Sequence, residues 1–128
     1  MVAESRRVVI TGIGSVSPVG IGTYTMWENL LAGKSGAGPI TMFDAEAIGL
    51  DVRIAAEVKG FEVGDFFPDK RKIGSMMKEM DRVTLFAMAG AKMALEDAKL
   101  DIKASNFADR VATFIGTGVG GLITTTAD

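Results

Sequence analysis

A chain of 128 residues, 48% hydrophobic and 23% charged, is long enough for one domain with a real core, too short for two ordinary ones, and unlike a disordered segment. Its 14 basic and 16 acidic residues leave a net charge of −2, so the totals carry no electrostatic footprint for nucleic acid. Cysteine and histidine are both absent, which excludes disulfides, thiolate nucleophiles, zinc-thiolate centres and Ser-His or Cys-His catalysis from this chain, and leaves carboxylate or lysine chemistry formally open.

The two arginines near the start precede an uncharged run from Val8 to Trp27 that superficially resembles a signal peptide or an anchor. Gly12, Gly14, Pro18, Gly20 and Gly22 break it, so we expect a buried strand and a turn in a cytoplasmic protein, with no membrane insertion. RRVVITGI (Arg6 to Ile13) has the β-branched pattern of a strand covered on both faces in a parallel sheet. GSVSPVGIGT is turn chemistry, after which Thr23 is placed to cap a helix through YTMWENLLAGKS, with Trp27, Leu30 and Leu31 on one face and Gly33 stopping it.

Residues 36–50 show no sustained period and read as a loop. In DVRIAAEVKGF, Val52, Ile54, Ala56 and Val58 alternate with wetter positions, predicting a strand near a sheet edge. GDFFPDKRKIGSMMKEM predicts an exposed turn or short helix. Asp81 is placed to cap the clearest helix, RVTLFAMAGAKMALEDAKL, whose Val83, Phe86, Ala87, Gly90, Ala91, Ala94 and Ala98 form a stripe of mostly small side chains. Small residues let a helix lie close to a sheet or another helix. DIKASNFADR then returns the chain to a strand, VATFIG, followed by glycines. The rhythm is that of α/β layers, and it predicts a further helix after the glycines, where LITTTAD ends the sequence; the chain reads as cut rather than complete.

Gly116, Gly118 and Gly121 meet the spacing G-x-G-x-x-G, but on the last strand, with no room for the acidic ribose contact some twenty positions on. The earlier turn carries Ser17 where a third glycine belongs, and Gly33-Lys34-Ser35 lacks the first glycine of a P-loop because residue 28 is Glu28. Each glycine turn thus meets half of the dinucleotide requirement and the P-loop is rejected; against a phosphate cradle, the simpler reading is that the glycines are sites of backbone bending or close packing. Lys70, Arg71, Lys72, Lys78 and Arg82 are interspersed with Asp65, Asp69, Glu79 and Asp81, the pattern of a solvated face. Met76, Met77, Met80, Met88 and Met93 are expected to fill core gaps, and Glu96 and Asp97, adjacent on a helix, point in different directions.

Several pieces in order resemble one family: RRVVITGIGSVSPVG, MWENLLAGKSGA, Phe43-Asp44, AAEVKGF, MDRVTLFAMAGAKMALEDA and IGTGVGGL. Together they are similar to the N-terminal part of the β-ketoacyl-acyl carrier protein synthases, most of all the elongating synthase II type. The resemblance is colinear over nearly the whole chain. It implies an α/β fold, the N-terminal part of a thiolase-like layered α-β-α-β-α architecture, with residues 1–128 an incomplete portion of its first half. It also implies decarboxylative Claisen condensation of malonyl and acyl thioesters, an acyl carrier protein as partner, no cofactor, and a homodimer in the full-length form. The family's cysteine and two histidines have no counterpart here, so this chain alone is expected to be inactive.

Carried over residue by residue, the family's glycine loop falls on residues 116–121 and places Gly118 and Val119 beside the acyl tunnel, Val119 as an apolar wall. Basic residues before Met80-Asp81 correspond to those that meet the acidic carrier protein: Lys78 first, with Arg71 and Lys72 behind it. The stretch KIGSMMKE is longer and less basic than the family's usual pattern. Two rivals stand beside this reading: a non-catalytic, chain-length-factor-like subunit of a polyketide synthase, and a small nucleotide-binding module.

Overall fold

The structure, a computed structural model, describes residues 6–104 and 106–121. The helix expected after the glycines lies outside those residues. The elements form an α/β arrangement: β1 (Val16–Ser17), β2 (Gly20–Ile21), α1 (Thr23–Leu31), β3 (Gly38–Pro39), β4 (Ile54–Ala55), α2 (Val63–Phe66), α3 (Lys70–Glu79), α4 (Arg82–Asp97) and a 3₁₀ turn at Ala108–Arg110.

The β-branched run at 6–13, expected as a strand, forms none and pairs with no strand among the described residues. β-branched residues favour a strand locally, whereas a ladder needs a second backbone beside it. Here the neighbour is α4. The Ile13 N–H donates to Asp97 Oδ2 at 2.9 Å, and the Ile13 carbonyl accepts from Thr23 Oγ1 at 3.2 Å, so side chains take the bonds a partner strand would take. The strand expected at VATFIG is likewise not formed, and Phe114 is 92% exposed. The strand expected over 52–58 contracts to β4, which pairs antiparallel with β3 in the register Gly38↔Ala55 and Pro39↔Ile54.

β1 and β2 form a hairpin in which Val16 faces Ile21 and Ser17 faces Gly20, and Asn29 Nδ2 of α1 donates to the Val19 carbonyl at its tip at 2.7 Å. Thr23 is the first residue of α1 rather than its cap. Gly22, at φ 87°, occupies the cap position because no β-carbon obstructs the sharp entry, which frees the Thr23 hydroxyl for Ile13. Gly33 ends the helix as expected. At φ 66° it donates to Leu30 O and Lys34 donates to Asn29 O, the paired bonds of a Schellman ending.

The charged stretch after Phe67 forms a longer helix than the sequence suggests. Asp69 caps α3 by accepting from the Arg71 amide, and Ile73, Met76 and Met80 turn one apolar face inward. Asp81 does sit at the cap position of α4, but its side chain makes no capping bond; its carbonyl accepts from Thr84 and Leu85 instead.

Helix α4 is apolar on two opposite sides. Leu85 and Ala89 face the core, where Leu85 packs with Val63 and Met76 and the cluster is bordered by Phe61, Phe67, Ile73, Met80 and Met88. At about 100° per residue, Val83, Ala87, Gly90 and Ala94 lie on the other side. Phe86, between the two, meets Phe61 edge-on with centroids 4.8 Å apart; Phe61 stacks on Phe66 at 5.4 Å, and the Arg82 guanidinium lies 5.0 Å over the Phe86 ring. Arg82 also donates to the Val58 carbonyl at 2.6 Å, tying the chain after β4 to the start of α4.

Glu57 organises the loop before β4. Its carboxylate accepts from Thr41 Oγ1 at 2.6 Å, the Thr41 amide at 3.0 Å and the Met42 amide at 3.2 Å. The Thr41 hydroxyl above all, then the Thr41 and Met42 amides and the charge of Lys59, hold this carboxyl below its ordinary value, outweighing the opposing effect of burial. A depressed carboxyl pKa adds stability that is present above the unfolded pKa and is lost as pH falls through the folded one. The protection of the Thr41 and Met42 amides, taken relative to their intrinsic exchange rates, is therefore expected to fall on acidification through the carboxylate range, and Glu57→Gln should remove that pH dependence. NMR exchange rates between neutral and acidic pH check this, and an unchanged profile in Glu57→Gln would contradict it.

Candidate functional site

The stripe of small residues on α4 forms a floor. Over its C-terminal half lies the segment 12–14. A β-carbon built on Gly12 would collide with the Ala94 carbonyl oxygen and the Ala98 amide, and one built on Gly14 with the Gly90 carbonyl oxygen. Glycine is required at both positions because backbone meets backbone there.

Where that segment stops covering the stripe, an apolar groove of about 880 Å³ remains. Its floor is Val83, Phe86, Ala87, Gly90, Ala91 and Ala94; one wall is Gly12, Ile13, Gly14 and Val16, and the other is Ile115, Gly116, Thr117, Gly120 and Gly121. Alanine and glycine leave the volume, while Phe86, Val83 and Ile115 make it greasy. Such a site suits an apolar ligand held by shape, with backbone groups and the Thr84 and Thr117 hydroxyls as polar contacts.

The glycine loop borders this groove, but not through the two positions picked from the sequence. Val119 is 75% exposed, and neither it nor Gly118 lines the groove; Gly116, Thr117, Gly120 and Gly121 do. Gly120 lies against Val83, since a β-carbon there would stand 3.4 Å from Val83 Cγ1, and Gly121 turns the chain at φ 79°. The contribution of Ala87, Gly90 and Ala91 went unassigned in the sequence. Its signal was the same spacing of small residues, read only as packing.

The three basic candidates stand apart from the groove, on the outer side of α3. Lys72 and Lys78 are exposed, and the Arg71 side chain is 94% exposed with Nε 3.8 Å from Asp69 Oδ1. A second cleft, of about 520 Å³, lies between α1 and the end of α4 and is lined by Ile13, Thr23, Tyr24, Trp27, Met93, Glu96 and Asp97. Both of its carboxylates are engaged, Glu96 by Lys92 Nζ at 3.3 Å and Asp97 by the Ile13 amide. Among the described residues no group of acidic side chains is arranged to hold a metal ion, and no helix is long and apolar enough to cross a membrane.

Residues 5–128 match the family model described as "Beta-ketoacyl synthase, N-terminal domain". The chain is 42% identical over 122 residues to the 3-oxoacyl-[acyl-carrier-protein] synthase 2 of Staphylococcus aureus (strain COL), a span covering 95% of this chain and 28% of that protein. It is 46% identical over 119 residues to the protein of the same name from Coxiella burnetii, covering 93% of this chain and 27% of the relative. Among solved structures, "The ishigamide ketosynthase/chain length factor" superposes with a TM-score of 0.62 at 40% identity, over 77% of this chain and 23% of that one. The chain thus spans about a quarter of the length of the relatives it matches.

Proposed function

Because the chain belongs to the β-ketoacyl synthase family, we propose that it contributes the N-terminal portion of a 3-oxoacyl-carrier-protein synthase of the synthase II type. The synthase joins malonyl and acyl thioesters with loss of carbon dioxide. The observation that carries this reading is the colinear match over residues 5–128, and the apolar groove bordered by the family's glycine loop supports it. In this reading the groove receives part of the acyl chain. Gly116, Thr117, Gly120 and Gly121 form the loop side, and Gly118 and Val119 face the remainder of the tunnel. Arg71, Lys72 and Lys78 meet the acidic carrier protein, the intact protein works as a cytoplasmic homodimer, and no cofactor takes part. This chain supplies walls and a docking face; with no Cys or His, it does not condense thioesters by itself.

The test is a condensation assay with carrier-bound malonyl and acyl thioesters. The intact protein is expected to form 3-oxoacyl product and the 128-residue chain alone none. Ala91→Phe, which puts a ring into the groove floor, should cut kcat/KM for long acyl chains about tenfold or more while sparing short ones, since a ring clashing in a pocket costs a kcal/mol or more. An unchanged chain-length profile would remove the acyl chain from this groove. A second reading, a non-catalytic chain-length-determining subunit, is favoured by the likeness to the solved ishigamide ketosynthase/chain length factor. It predicts no condensation by the intact protein until a ketosynthase partner is added.

A further inference from the structure

Phe86 is the one aromatic ring among the described residues that line the groove, and its neighbours there are of another kind. Ala87, Gly90, Ala91 and Ala94 present only backbone and single methyl groups, in a row along α4, so the length of the groove follows the helix axis. Its width is set differently. At about 100° per residue, Phe86 falls on one flank of that row and Thr84 and Ala91 on the other, so the ring bounds the groove from the side.

That boundary is held in place by two contacts that have nothing to do with the groove. Phe61 meets the ring at 83° with centroids 4.8 Å apart, and is itself backed by Phe66 at 5.4 Å. Arg82, one helical turn before Phe86, places its guanidinium 5.0 Å from the ring centroid and is tethered by its hydrogen bond to the Val58 carbonyl at 2.6 Å. A free phenylalanine would change rotamer to admit a bulkier ligand, whereas a ring packed on one side and capped by a tethered cation has no empty well to enter. The alanines and glycines beside it have no rotamer to change. The groove therefore meets its ligand with a fixed outline.

We infer that Phe86 is a specificity-determining residue of the groove: its clamped ring passes a straight acyl chain and obstructs one that carries a methyl branch, with Arg82 as the positioning residue that keeps the ring in place. One carbon too many in an apolar pocket that does not adapt costs about tenfold or more in kcat/KM. This inference rests on the acyl-groove reading above and adds to it a selection by chain shape, separate from selection by chain length.

The experiment gives the intact protein carrier-bound acyl thioesters in pairs of equal backbone length, one straight and one bearing a methyl branch, and reads the ratio of their kcat/KM values. In the wild type the ratio should favour the straight chain about tenfold or more, and Phe86→Leu should bring it to within about threefold of unity. Arg82→Met keeps the ring but frees it, leaves every groove side chain in place, and should lower the ratio about two- to fivefold. Loss of activity on both substrates in equal proportion, with the ratio unmoved in both variants, would make Phe86 a packing residue and overturn the inference; if Ala91→Phe still narrows the chain-length profile, the acyl-groove reading stands. An unaltered profile in Ala91→Phe would overturn both. Relaxation in Phe86→Leu but not in Arg82→Met would overturn the part given to Arg82.

Discussion

Gly14→Ala is expected to cost about 3 kcal/mol or more of stability, at the upper end for overpacking, because nothing around the new methyl group is free to yield. The β-carbon would fall on the carbonyl oxygen of Gly90, with the Ala94 amide nitrogen and Met93 Cβ both at 2.8 Å. These belong to the interior of α4, where backbone shifts break helical hydrogen bonds. Lifting residues 12–14 away instead would pull the Ile13 amide from Asp97 and open the wall of the groove. Gly116→Ala is the control, since a β-carbon there meets nothing within 4 Å, and its change should stay within about 0.5 kcal/mol. Urea midpoints of the two variants decide the matter. Equal, small shifts would mean that the segment does not lie on α4 as described.

Leu85→Ala should be nearly as damaging, about 2–4 kcal/mol, combining lost burial with the cavity left behind. Leu85 is only 7% exposed and is the point at which α4 meets Val63 of α2 and Met76 of α3. The flexible Met76 and Met88 can close part of the void, which argues against the top of the usual range. Against a total stability of order 5–15 kcal/mol for an ordinary domain, the loss is large, and among the described residues the other buried hydrophobics are Ala45, Val63, Met76 and Ala89. Leu31→Ala, at a position 66% exposed on α1, should change stability little. Comparable thermal shifts in the two leucine variants would refute this account of the core.

The helices were the most legible part of the sequence. Gly33 as the stop of α1, Asp81 at the start of α4 and the small-residue stripe from Val83 to Ala94 all follow from local chemistry, and all are found in place. α3 was underestimated because its charges masked an inward face made of one isoleucine and two methionines. The strands were the least legible. Val8 and Ile10 are 90% and 83% exposed, so the composition of a doubly covered strand is present without the cover. At the candidate site, the sequence singled out Gly118 and Val119 of the glycine loop, whereas Gly116, Thr117, Gly120 and Gly121 line the groove. Alternate positions in a turn differ in direction, and the sequence carries no signal for that.

By itself, the sequence determined the family, the absence of thiol and imidazole chemistry from this stretch, the end of α1 at Gly33, the start of α4 after Asp81 and the small-residue face of α4. These depend on residue identity and on spacing along one helix, which are local quantities. Only the tertiary structure decided that the backbone against which Gly12 and Gly14 pack is that of α4. It likewise decided that Gly116, Thr117, Gly120 and Gly121 turn toward the groove while Val119 turns to solvent, and that Ile13 bonds to Asp97 and Thr23 instead of to a strand. Each of these is a choice of neighbour between segments many residues apart. Such a choice is set by where backbones can approach and which polar groups remain to be satisfied, and it leaves no periodic trace in the chain.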